Sequence, residues 1–318
     1  MEEKQINKWL RRQFSVVGWA LVIYYLILNI MVALTMMVDS VAQVLRAIAA
    51  GGFPGDIDVD ALMGNAWGYM LAIAVGAVIL YAWKGGDYCR EEILAKERTM
   101  TVPAFFAVLS LTVGAQLVNS LWIGMLEVIL NQFGRSAVAM LENVSGASDT
   151  VSLFLYSALA APIAEELLFR GLVLRSLKPF GKRFAIFGSA LLFAAFHGNL
   201  LQTPYAFLVG LVLGYVTMEY FIGWSIALHM FNNLVLADLM TRLTAHLPAA
   251  AASGIQIVIL CGFTLAGAVI LVVKRREVRD YIRGEWMDRR CVKCFFSNSG
   301  VLVLLGIALV SVLSLLLV

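Results

Sequence analysis

Three stretches of this sequence set ionisable or amide side chains into otherwise apolar runs. Glu165, Glu166 and Arg170 lie between Ala161 and Gly171, His197 follows Phe193 by four residues, and His229 precedes Asn233 by four. Two of the three histidines of the chain fall in these runs. A carboxylate within reach of an imidazole can draw a proton from water and return it to a leaving group. A further imidazole or amide can donate to an oxyanion as charge develops on it. Such groups cost at least ~2.5–3.5 kcal/mol each at the centre of a bilayer-spanning helix, so their clustering calls for a function.

Helical geometry separates the two glutamates. Glu166 and Arg170 are spaced i,i+4 with the acid first, the favourable order for a pair on one face, whereas Glu165 is five residues from Arg170 and points away. Glu166 is thereby neutralised within its own helix, and Glu165 is left for a partner elsewhere. Pro162 removes the N–H that would bond the Ala158 carbonyl, which predicts a kink one turn before Glu165. Glu165 lies ten residues before Arg175 and His197 fourteen after Arg183, or ~15 Å and ~21 Å at helical rise, so they can share one layer of a membrane. His229 and Asn233 occupy one helix face, with Asn232 a weaker competitor for that direction.

Taken in order, Glu-Glu-x-x-x-Arg at 165–170, Phe-x-x-x-His at 193–197 and His-x-x-x-Asn at 229–233 make the chain resemble the CPBP family of type II CAAX prenyl endopeptidases and bacteriocin-processing or immunity proteins, over about Thr150 to Ala237. The resemblance implies a membrane-embedded endopeptidase without a cofactor. In it Glu165 would be the general base, His197 would hold the water, and His229 with Asn233 would be the oxyanion donors, supported by Glu166 and Arg170. The implied substrate is a membrane-associated peptide or protein. His-Glu-x-x-His, Gly-x-Gly-Asp and Gly-x-Ser-x-Gly are absent, which argues against the usual zinc, aspartyl and serine forms. The alternative metal reading is a His₂Glu zinc site of Glu165, His197 and His229 with an open fourth position. A non-catalytic immunity or scaffold protein, and a transporter using the same groups as a proton path, are the rivals from other classes.

The elements that must position these residues are membrane helices. Hydrophobic residues make up 61% of the chain and charged residues only 14%, against roughly 25% charged in soluble proteins, and the mean hydropathy is +0.85. Lipid cannot satisfy exposed backbone groups, so long apolar segments fold as helices. Apolar stretches predict nine spans in an all-α polytopic protein, near 14–37, 61–83, 101–126, 150–174, 184–198, 204–221, 223–240, 255–273 and 300–318. Of the 24 Lys and Arg residues, threading with the N-terminus inside leaves only Arg46, Arg135 and Arg242 outside, which sets the N-terminus inside and the C-terminus outside.

Three regions follow: residues 1–149, N-terminal membrane helices with an acidic outer loop from Asp39 to Asp60; 150–240, the catalytic core; and 241–318, C-terminal helices with a basic inner segment. Val41 to Ala50 reads as a short interfacial helix, and 274–293 alternates basic residues with Val278, Tyr281, Ile282, Trp286 and Met287, a pattern suited to anionic lipid. The basic residues sit in clusters between spans, so nucleic acid is not an expected partner. The compactness of the chain fits a bacterial plasma membrane. Glu219 reads as a solvated carboxylate near the inner end of its span, Gly210 and Gly214 as a close-packing site, and Cys291 and Cys294 as reduced thiols.

Overall fold

The computed structural model describes residues 3–51, 58–145, 150–234, 240–283 and 289–317. It is helical throughout, with no strand among the described residues. The principal helices are α1 (Glu3–Ala49), α2 (Trp67–Tyr88), α3 (Val102–Asn131), α4 (Val151–Phe180), α5 (Lys182–Phe196), α6 (Thr203–Glu219), α7 (Ile222–Phe231), α8 (Ala249–Val273), α9 (Arg275–Arg283), α10 (Arg289–Phe296) and α11 (Ser299–Leu317). Helix is present at each of the nine expected stretches, though the far end of the seventh falls outside the described residues. Length and apolarity qualify five segments to cross a membrane, namely α1, Ala61–Ile93, α3, α4 and α8, and a sixth if α10 and α11, bent by 58°, count as one. Helices α5, α6 and α7, of 15, 17 and 10 residues, fall short of the ~20 residues a bilayer core requires. Their apolar residues are spent largely on neighbouring helices, as with the buried Ala185, Leu192 and Phe193 of α5 and Val209, Leu213 and Val216 of α6.

Local chemistry explains several boundaries. Thr101 caps α3 by accepting from the Ala104 amide at 3.3 Å, and Thr150 caps α4 through the Leu153 amide at 3.2 Å, each satisfying a donor that the helix cannot. Gly181, at φ +123°, makes the turn between α4 and α5, a backbone region that side chains with a Cβ disfavour. The expected interfacial helix at 41–50 is not separate, because α1 runs unbroken to Ala49. Gly52, Pro54 and Gly55 of the outer loop lie outside the described residues, as do Trp286 and Met287 of the basic segment.

Contacts sort the connections into two ends. At one, Glu97 receives Lys178 Nζ at 3.3 Å, the Glu97 amide donates to the Tyr220 carbonyl at 2.8 Å, and Glu219 pairs with Arg98 and Lys182 while accepting from Tyr281 Oη at 3.1 Å. The start of α1 joins this end, with Trp9 against Phe180 at 5.7 Å. At the other end Asn65 bonds Asp39, and the Ala66 amide donates to Ser152 Oγ at 3.3 Å. Glu219 is thus a nearly buried ion-pair centre, 8% exposed, rather than the solvated carboxylate expected: three donors from three segments offset its desolvation.

One apolar cluster joins α1, α4, α5, α6, α10 and α11 through Phe14, Phe169, Leu177, Phe193, Met218, Phe295 and Val301. Helices α1 and α11 approach so closely at Gly18 and Gly300 that a Cβ on Gly18 would stand 2.4 Å from the Gly300 carbonyl carbon. Gly210 and Gly214 admit α5 in the same manner, since added Cβ atoms would meet Ala190 at 3.1 Å and Ile186 at 3.2 Å.

Candidate active site

Helix α4 carries both glutamates on a regular turn, Ala161–Glu166, between two wider π-helical stretches, Tyr156–Ala160 and Leu167–Leu174. The first of these ends just ahead of Pro162, whose ring and missing N–H disfavour the regular hydrogen-bond ladder. This turn aims Glu166 into the bundle, where it is wholly buried, and leaves the Glu165 side chain one-quarter exposed. Arg170 Nη1 donates to Glu166 Oε1 at 2.8 Å, the pairing its spacing requires. The guanidinium also donates to the Gly210 carbonyl at 3.3 Å and stands 4.5 Å over the Phe193 ring.

His229, 5% exposed on α7, lies between the two carboxylates. Its Nδ1 is 2.9 Å from Glu166 Oε1 and its Nε2 is 3.7 Å from Glu165 Oε2. A carboxylate can only accept, so the Nδ1 proton points to Glu166 and Nε2 faces Glu165. His197 follows the last turn of α5 and places Nδ1 2.8 Å from the Phe193 carbonyl. A carbonyl can only accept, so Nδ1 carries a proton and Nε2 is left for another partner. Phe193 stands edge-on to both imidazoles, with centroids 4.7 Å from His197 and 5.8 Å from His229.

Glu165 and His197 open on one cavity of about 250 Å³, with Tyr24, Asn29, Tyr156 and Phe196 among its walls. His229 and Asn233 are not among the residues that line it. Asn233 Nδ2 donates to the Ser157 carbonyl at 3.0 Å, tying the end of α7 to the first π-helical stretch, and its Oδ1 accepts from Asn232 at 3.1 Å. Asn232 in turn accepts from Tyr205. An apolar cavity of about 520 Å³ adjoins the first, bounded by α1, α2 and α4, and the two share Tyr24, Ile73 and Ala164. Among the described residues no group of three or more His, Cys, Asp or Glu side chains is placed to hold a metal ion.

Two features escape a reading of the sequence alone. The link from Glu166 to His229 crosses between α4 and α7, and no spacing rule reports the rotation of one helix against another. The contribution of α1 lies in Tyr24, Tyr25 and Asn29, of which only Asn29, an amide inside an apolar span, carried a signal.

Fold and site together define a helical integral membrane protein with a carboxylate and a histidine on one cavity and a second histidine beside the carboxylate. Residues 147–235 match the family model described as Rce1-like, the type II CAAX prenyl endopeptidase Rce1-like family, which agrees with the CPBP resemblance of the three motifs. The matched segment, under half of the chain, holds all seven residues that define the three motifs. Neither a search of curated proteins nor one of solved structures finds a match.

Proposed function

We propose that the protein is an intramembrane endopeptidase that hydrolyses a peptide bond of a membrane-associated protein or peptide. The observation that carries this reading is the juxtaposition of Glu165 and His197 on one cavity, with His229 Nε2 3.7 Å from Glu165. Glu165 takes a proton from water held by Nε2 of His197, and the hydroxide attacks the scissile carbonyl. The oxyanion is met by His229 and by the second amide hydrogen of Asn233. For His229 this requires a proton on Nε2 as well as Nδ1, and the imidazolium charge is offset by Glu166 and by the oxyanion itself, Glu165 being protonated at that stage. Glu165 then returns its proton to the leaving amine, and the carbon–nitrogen bond breaks. Glu166, held by Arg170, acts through His229 as a positioning residue. No metal ion takes part in this scheme.

The apolar cavity beside the site suits the apolar part of a membrane-anchored substrate. We assign nine passes of the bilayer with the N-terminus inside, which the alternation of the connections between two ends supports, and a bacterial plasma membrane as the location. Arg275, Arg276, Arg279 and Arg283 of α9 would meet anionic lipid at the inner surface. The test is incubation of purified protein with membrane-anchored peptides and mass spectrometry of the products. Cleavage by the wild type and none by Glu165→Gln is the expected result; equal cleavage by both would sink the assignment.

A further inference from the structure

We infer that Tyr24 partitions the site: its ring separates the cavity of Glu165 and His197 from the apolar cavity beside it, and so limits the size of the substrate residue next to the scissile bond. The inference rests on the proteolytic reading above and adds a specificity-determining residue from a helix that none of the three motifs touches.

Three residues bound both cavities, Tyr24, Ile73 and Ala164. Ala164 offers only a methyl group and Ile73 a short branched chain, so the aromatic ring is the largest movable part of the shared wall. That ring is held from two sides. On α2, Gly76 leaves room for it, since a Cβ there would fall 2.6 Å from Tyr24 Cε2. From the end of α5, Phe196 stacks on it with centroids 6.0 Å apart and planes 24° from parallel. Phe196 directly precedes His197, so the residue that steadies the partition is bonded to one that faces the reaction. Tyr24 and Glu165 line the same cavity. A substrate bond presented to Glu165 therefore has this ring as a neighbour, and bulk beyond a small side chain must displace it to enter the apolar space.

Two measurements on the full-length protein in lipid nanodiscs test this. The first compares kcat/KM for membrane-anchored peptides that differ only in having Leu or Ala beside the cleaved bond. Hydrophobic pockets discriminate about 10–200-fold for a single methylene, so Tyr24→Ala is expected to raise the Leu-to-Ala ratio at least about tenfold. Tyr24→Phe, which keeps the ring, should leave the ratio as it is, which separates the ring from the hydroxyl. Gly76→Ala pushes the ring toward Glu165 and should lower the ratio.

The second measurement needs no catalysis. Glu165→Cys, in a chain whose four native cysteines are replaced by Ser, is reacted with maleimides of increasing apolar bulk. Adding Tyr24→Ala should speed the bulky reagents at least about tenfold and leave the small ones unchanged, and Gly76→Ala should slow the bulky ones. Unchanged labelling in the folded variants overturns the inference, as does an unchanged Leu-to-Ala ratio in an active Tyr24→Ala. Where Tyr24→Ala does not fold, Gly76→Ala decides by the same two readings. A shifted labelling pattern in a protein that cleaves none of the peptides would defeat the proteolytic reading and leave the partition standing.

Discussion

His229 Nδ1 and Arg170 Nη1 converge on a single atom, Glu166 Oε1, at 2.9 and 2.8 Å. The shared oxygen makes Glu166 the fixed point from which both the guanidinium and the imidazole are oriented. All of it lies in the bundle, with Glu166 and Arg170 wholly buried. Removing one member of a buried pair strands the other charge, which costs about 3–5 kcal/mol. Glu166→Gln is therefore expected to lower the unfolding midpoint in detergent sharply. Adding Arg170→Met should recover much of the stability without recovering cleavage, because His229 then faces a neutral amide in place of the carboxylate that orients it. A fully stable Glu166→Gln would refute this account of the pair.

Glu165→Gln presents the opposite case. Its side chain is partly exposed to a cavity and carries no buried partner charge of its own helix. The substitution should leave the unfolding midpoint close to wild type and abolish product formation. Circular dichroism beside mass spectrometry of the same preparation checks both halves.

Asn233→Ala removes one oxyanion donor in the proposed scheme. Loss of such a donor costs about 10²–10³ in kcat, with KM little changed because the interaction belongs to the transition state. The lost bond to the Ser157 carbonyl also loosens α7 from α4, so the kinetics must be measured where the variant is shown to be folded. A near-normal kcat would assign Asn233 to packing alone.

Activity is expected to survive a strong chelator followed by exhaustive dialysis. A zinc centre of Glu165, His197 and His229 demands the reverse, loss on chelation and rescue by Zn²⁺. Elemental analysis of the dialysed protein gives an independent reading, and about one zinc per chain in a chelator-sensitive preparation would replace the glutamate scheme with the metal one.

Single cysteines report the threading. Those at Glu92 and Asp280 should react with a membrane-impermeant maleimide only from the inside, and one at Asp58 only from the outside. Labelling of position 280 from the outside would end the nine-pass arrangement.

How far the sequence carries can be judged from particular residues. The Glu166 and Arg170 pair was legible because i,i+4 contacts are local to one helix. The grouping of the three motifs was legible because ionisable groups in apolar runs are costly. The partner of His229 was not, since it depends on how α7 is rotated against α4. Glu219 was misread for a related reason: Arg98, Lys182 and Tyr281 come from segments far apart in the chain, and only packing brings them together. The shortness of α5 to α7 was not legible either, since hydropathy counts apolar residues without saying whether they face lipid or protein.

The crossing of Gly18 and Gly300 has a temporal side. During synthesis α1 enters the membrane first and α11 last of the described helices, yet their backbones touch, and α1 furnishes walls to both cavities. Until α11 arrives, the face of α1 around Gly18 has no permanent neighbour, and Tyr24 lies less than two turns further along the same helix. Docking of α11 on that face fixes α1 in the bundle, and with it the wall that Tyr24 gives to both cavities. A substitution that forces the two helices apart at Gly18 would therefore act on the chamber from a distance, through the helix that carries Tyr24.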